Sequence, residues 1–309
     1  MKQTIKNTIL TLTVLTFAVS SYGQQDPQYT QYMYSMNIVN PAYAGSKYAI
    51  SLGALGRKQW LGIDGAPEVA TFFIHSPVGR NVGLGLSAIA QEIGPVKEQN
   101  IYADFSYTLD LSDQSKIAFG LKAGVTFKDI GLLSLTLVDP NDPLFVENVN
   151  SADPNIGAGV YFYTERFYLG LSVPNFIETL HFDEENGIIS NASDKMHYFL
   201  TGGYVFDLSD NLKFKPSFMA KMVFGAPVSI DASANMLINE KIELGASYRV
   251  DDSVSGLVNF FITPNFRVGY AYDYSVSDLG NVNNTGSHEI FLLYDFALSR
   301  GGRRSPRFF

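Results

Sequence analysis

The chain contains no cysteine, which excludes disulfides, thiolate metal sites and lipid attachment through an N-terminal cysteine. Charged residues make up only 17% of it, yet beyond residue 23 no apolar run approaches the roughly 20 residues of a membrane helix. Histidine is scarce as well: His75, His181, His197 and His288 stand apart with no His-x-x-x-His spacing, so they build no zinc site and read as interfacial or loop residues. Neither a G-x-S-x-G elbow nor a P-loop occurs, and the pairs Gly83/Gly85 and Gly120/Gly124 suit strand positions facing a crowded interior. The acidic run Asp139-Pro140-Asn141-Asp142-Pro143 lacks the ligand order of a calcium loop and reads as solvated. These absences predict no enzyme, with no catalytic, cofactor-binding or metal residues. The net charge of -8 counts against nucleic acid as a partner.

What is present begins with an export signal. Lys2 and Lys6 precede an apolar run from Ile9 to Val19, and Ser21-Tyr22-Gly23 offers small residues to a signal peptidase, so residues 1–23 read as a cleaved signal peptide. The rest divides into a periplasmic or plug segment at 24–47, a barrel at 48–299 and a basic periplasmic tail at 300–309, with no Ser/Pro-rich or charged linker between domains.

Fourteen strand-length segments of alternating polarity run through the middle, which predicts an all-β, transmembrane antiparallel β-barrel in the outer membrane. The sixth is expected over Asn155–Thr164 and the eighth over Lys195–Asp207. Even-numbered connections are tight and rich in Asp, Asn, Pro and Gly, for example Leu111-Ser112-Asp113-Gln114. The long ones are all odd: 58–66, 129–154, 174–194 and 276–286. The third and ninth are intermediate, and Asp251-Asp252 is a short exception. This parity puts the long connections on the outer side and both chain ends on the periplasmic side. Connections 129–154 and 174–194 are therefore the expected cargo-facing surface.

In the fifth segment Ile117, Phe119, Leu121, Val125 and Phe127 share one face while Gly120, Lys122, Gly124 and Thr126 share the other. A β-sandwich alternates similarly, but a glycine-rich polar face, with 18 Tyr and 23 Phe to supply aromatic girdles, favours the barrel and the lipid bilayer as its surroundings. The same alternation points Lys122, Lys213, Lys215, Lys221, Arg249 and Arg267 inward, together with Asp231, Glu243, Asp273, Glu289 and Asp295. Signs so nearly balanced favour a pairing network over an ion-selective pore.

Three blocks carry a resemblance: QQDPQYTQYMYSMNIVNPAYAGS from Gln24 to Ser46, RKQWLGIDGAPEVATFFIHSPVG from Arg57 to Gly79, and SPRFF from Ser305 to Phe309. In order and over essentially the whole chain, they resemble the PorP/SprF family of outer-membrane proteins of the Bacteroidetes type IX secretion system. The resemblance implies a non-enzymatic role in secreting or attaching a partner such as an adhesin, in gliding motility, or in linkage to periplasmic or outer-membrane components of the machine. The alternative is a pore or transporter for small or hydrophobic solutes, since fourteen strands is also the count of the FadL long-chain fatty acid transporters. Candidate partner-binding residues are Trp60, Arg303, Arg304, Arg307, Phe308 and Phe309. Trp60 suits either an aromatic anchor at the outer interface or a constriction of the lumen. The tail suits either an assembly signal or a docking peptide whose arginine forks bind carboxylates and whose Phe pair anchors it.

Overall fold

Strict alternation of outward apolar and inward small or polar side chains is a strand pattern. The structure, a computed structural model, describes residues 27–135, 147–177, 195–277 and 286–298. The expected signal peptide and basic tail lie outside these residues, as do the Asp139–Pro143 run and His181.

The strands are β1 (Ala49–Lys58), β2 (Glu68–Val78), β3 (Val82–Ile93), β4 (Val96–Asp110), β5 (Ser115–Ile130), β6 (Val149–Thr164), β7 (Phe167–Val173) and β8 (His197–Tyr204). They continue with β9 (Phe206–Ser209), β10 (Leu212–Val223), β11 (Ser229–Ile238), β12 (Ile242–Arg249), β13 (Ser253–Thr263), β14 (Phe266–Ser275) and β15 (Ser287–Ala297). Each pairs antiparallel with its neighbours, and β1 pairs with β15 from Ala49↔Ala297 to Lys58↔His288, which closes the sheet. Both β8 and β9 pair with β10. They are two pieces of one stave interrupted at Val205, which still continues the ladder to β7 by donating its N–H to the Arg166 carbonyl at 2.8 Å. The barrel therefore has fourteen staves, the even number that returns both ends of the sheet to one side.

The largest boundary departures from the sequence reading fall at two connections. The sixth strand begins six residues early, at Val149, because polar Asn150 to Pro154 hide their alternation while still pairing with β5 as far as Ile130↔Val149. The fifth connection shrinks accordingly to 131–148. The third connection is a tight Gly94-Pro95 turn rather than intermediate, made possible by Gly94 at φ +54°.

Outward positions include Leu86, Leu121, Leu171 and Ile290, each more than half exposed. At about 25 cal/mol per Å² a wall of such side chains is stable only against lipid. Among the described residues no helix is long and apolar enough to cross a membrane, so the strands make the crossing.

The plugged lumen as candidate functional site

Inside the staves lies the segment before β1. A 3-10 turn at Tyr32–Tyr34, a short helix α1 (Met36–Val39) and a second 3-10 turn at Pro41–Tyr43 fold residues Tyr29 to Ala44 into a buried column. Asn40 starts the second turn: its Oδ1 accepts from Ala42 N–H at 3.0 Å, and Pro41 follows where no N–H is needed. Its Nδ2 donates to the Val160 carbonyl on β6 at 3.0 Å.

The wall is shaped to this column. A Cβ on Gly120 would lie 2.1 Å from the Ala42 nitrogen, and one on Gly83 would lie 2.1 Å from the Ala44 carbonyl oxygen. Only glycine lets the backbones approach so closely. Around these contacts the wall donates to plug carbonyls that such short helical turns leave unsatisfied. Lys122 Nζ reaches Ile38 O at 2.9 Å, Ser172 Oγ reaches Val39 O at 2.8 Å, and Ser106 Oγ reaches Ala44 O at 2.6 Å.

Two charged clusters hold the rest. At the end of the long connections, Arg57 Nη1 pairs with Asp273 at 2.6 Å and with Glu289 at 3.2 Å, all three buried. Glu289 accepts the backbone N–H of Thr30 at 2.9 Å and of Gln31 at 2.8 Å, while the Thr30 hydroxyl donates to Asp273 at 2.7 Å. At the opposite end the Tyr34 hydroxyl donates to Glu243 and accepts from Asn259 at 3.1 Å. Its ring stacks on Phe291 at 4.7 Å, with Lys215 at 4.8 Å and Arg267 at 5.0 Å over its faces. Burial first and the Glu243 charge second push the Tyr34 hydroxyl well above the usual phenol range, so it keeps its proton and donates.

Most of the charges expected to face inward do so, and they pair: Arg249 with Asp231 at 2.7 Å, Lys215 with Glu243 at 3.8 Å, Lys47 with Asp295 at 3.5 Å. Lys213 instead sits at the rim, pairing with Glu240 in the β11–β12 turn at 3.4 Å, because β10 has only just begun there. Sequence reasoning missed Arg57 and Asp104, and it missed that the network's other half is the plug's own backbone. It also assigned the aromatics to girdles, whereas Phe73, Tyr161, Tyr163, Tyr168 and Phe291 point inward and pack about the column. His75, expected in a loop or interface, is buried in the lumen against Tyr43, with Nδ1 accepting from Gly45 N–H at 3.3 Å. His197 departs in the same way, buried at the first position of β8 with its ring stacked near Phe199. No His/Asp/Glu group among the described residues is arranged to hold a metal ion.

Trp60 lies just past the outer end of β1, half-buried and at φ +43°. Its N–H donates to Ser287 Oγ at 3.3 Å, and Leu61 N–H to Gly286 O at 3.0 Å, which ties the first connection to the last. Arg303, Arg304, Arg307, Phe308 and Phe309 lie outside the described residues, and β15 delivers the chain toward them at the end opposite Trp60. Of these candidate partner residues the structure therefore places only Trp60.

A closed, lipid-faced barrel of fourteen staves with an occupied lumen defines an outer-membrane β-barrel protein. A family model described as "Type IX secretion system membrane protein PorP/SprF" matches residues 21–294, and the chain belongs to that family. It is thus an outer-membrane component of the type IX secretion system. No curated protein matches the chain. Among solved structures it is similar to the outer membrane protein Omp33 of Acinetobacter baumannii, at 12% identity and TM-score 0.46, covering 82% of this chain and 100% of that one. A FadL homologue of Pseudomonas aeruginosa matches at 11% identity and TM-score 0.45, covering 81% of this chain and 89% of that one. The toluene transporter TodX of P. putida matches at 10% and 0.46, covering 85% and 94%.

Proposed function

We propose that the protein is a non-enzymatic anchor of the secretion system, holding a secreted partner such as an adhesin at its outer connections and contacting periplasmic components of the machine through its basic tail. The observation that supports this reading is the filled lumen: Tyr29 to Ala44 occupy it, which leaves the two ends of the barrel, rather than a conduit, as the surfaces on offer. The longest connections, 131–148 and 174–196, share one end with Trp60, and loops of that length carry function more often than fold.

Shortening either long connection, by removing residues 137–145 or 180–192, is expected to abolish or strongly reduce surface display of the partner. Barrel amounts, followed by heat-modifiable migration on gels, should stay unchanged because no described strand residue is removed. Full display after both deletions would refute the anchoring role.

The tail separates two readings. Replacing Arg303, Arg304 and Arg307 with Ser removes the guanidinium forks and keeps Phe308 and Phe309. Weakened crosslinking to periplasmic partners with normal barrel amounts is the expected result for docking. Loss of the folded barrel would assign the tail to assembly instead.

A further inference from the structure

Across the outer half of the lipid face, β1, β2 and β3 carry a row of residues with almost no side chain. Gly56 lies opposite Ala70, and Ala70 opposite Ala90. Glycine and alanine are poor strand formers, and nothing within this chain calls for glycine at 56: a Cβ there would meet no atom within 4 Å. Gly83 and Gly120, by contrast, are pressed by the plug. The row opens an apolar groove of about 550 Å³, with Phe72, Ile101, Ile290 and Leu292 standing as exposed ridges around it. Two residues further toward the outer rim, the register sets a row of charges on the same face. Lys58 lies opposite Glu68, Glu68 opposite Glu92, and Glu92 opposite Lys97. Lys58 pairs with Glu68, and Lys97 with Glu92 at 3.6 Å, all four side chains about half exposed.

We infer that a second copy of this chain occupies the groove, the two barrels packing side by side about a two-fold axis along the membrane normal that passes between β1 and β2. Both barrels of such a pair are inserted the same way round and to the same depth, so the charged row of one arrives at the height of the other's. The row carries both signs, and about that axis Lys58 of each copy comes opposite Glu68 of the other, an isologous match of charge. An anionic lipid headgroup would instead meet Glu68 and Glu92 at the middle of the row. Below the charges, small residues let two backbones approach closely, as they do between membrane helices. A second lane of small residues, Ala234, Ala246 and Gly256 on β11 to β13, lacks the charged row: two residues toward the outer rim stand Ala232, Tyr248 and Val254. The pairing goes beyond the anchoring role and does not depend on it.

The absence of native cysteine lets single cysteines report the contact. Gly56→Cys, whose new side chain enters open space, and Ala246→Cys as the control are oxidised in native outer membranes, with folded barrel followed by heat-modifiable migration. Gly56→Cys is expected to give several-fold more disulfide-linked dimer than Ala246→Cys. Adding either Lys58→Glu or Glu68→Lys to Gly56→Cys should lower that yield, because each pair of identical copies then sets like charges opposite one another. Co-expressing the two charge variants under different tags should restore it in mixed pairs, where the exchanged charges match again across the interface. Equal dimer yields from Gly56→Cys and Ala246→Cys, or none from either, overturn the inference and leave the groove to lipid. A Gly56→Cys adduct with a different protein, or a dimer yield that neither charge change moves, overturns it as well.

Discussion

Removing residues 28–46 is expected to turn a nearly silent barrel into an ion-conducting pore in planar bilayers. Barrels of about eight strands are filled by their own side chains, and those of about 16 to 18 leave a water channel. Fourteen staves fall between, so the interior needs a filler, and the plug supplies it with Tyr32, Met33 and Met36 among its largest buried side chains. Without it Arg57, Lys122, Lys215, Arg249 and Arg267 face water across from Asp104, Asp231, Glu243, Asp273 and Glu289. Charges of both signs keep such a lumen wet, and their near balance predicts weak selectivity between cations and anions. Intact protein conducting as well as the deletion variant would remove the case for a plug and favour the transporter reading. The staves themselves should survive, since their ladders close without the segment, from β1–β15 to β10–β11.

The barrel was legible because lipid outside and a crowded lumen inside force a period of two on strand after strand, as in Phe119, Leu121 and Phe127 against Gly120, Lys122 and Thr126. Where both faces leave the bilayer that contrast fades. The first residues of β6, from Val149 to Pro154, rise beyond the length of about 9 to 11 residues that crosses a membrane, and polar side chains on either face read as loop. The break at Val205 gave no warning either, because Tyr204-Val205-Phe206 continues the apolar character of the stave and the register to β10 is the same on both sides of it, Gly203↔Ser217 and Phe206↔Phe214. The site was half legible. Inward charges follow from strand period alone, but those of Glu289 and Lys122 also meet backbone groups of a segment with no period at all. Which of Thr30, Gln31 and Ile38 meets which wall residue depends on contacts more than 80 residues apart in sequence, beyond any local pattern.

Glu289→Ala is expected to loosen the outer half of the plug while leaving its lower half seated. The substitution removes the acceptor for two backbone N–H groups and one of the two carboxylates facing Arg57. Each buried donor left unmade costs about 1–3 kcal/mol, and breaking a buried pair on one side about 3–5 kcal/mol. Asp273 still holds Arg57 at 2.6 Å, which places the total toward the lower part of that range. The variant should lose heat-modifiable folded protein at a lower temperature than the parent, and residues 28–31 should become open to added protease at the outer mouth. Glu289→Gln keeps an acceptor for one of the two N–H groups but turns an amide donor toward the other, so an intermediate effect is expected. Arg57→Ala combined with Glu289→Ala should cost less than the sum of the two single changes, because the second removes a charge that the first left buried and less well paired. Additive effects would mean that Arg57 and Glu289 act on the plug separately, and a Glu289→Ala protein as heat-resistant as the parent would show that the plug is held by its Asn40–Ala44 seat alone.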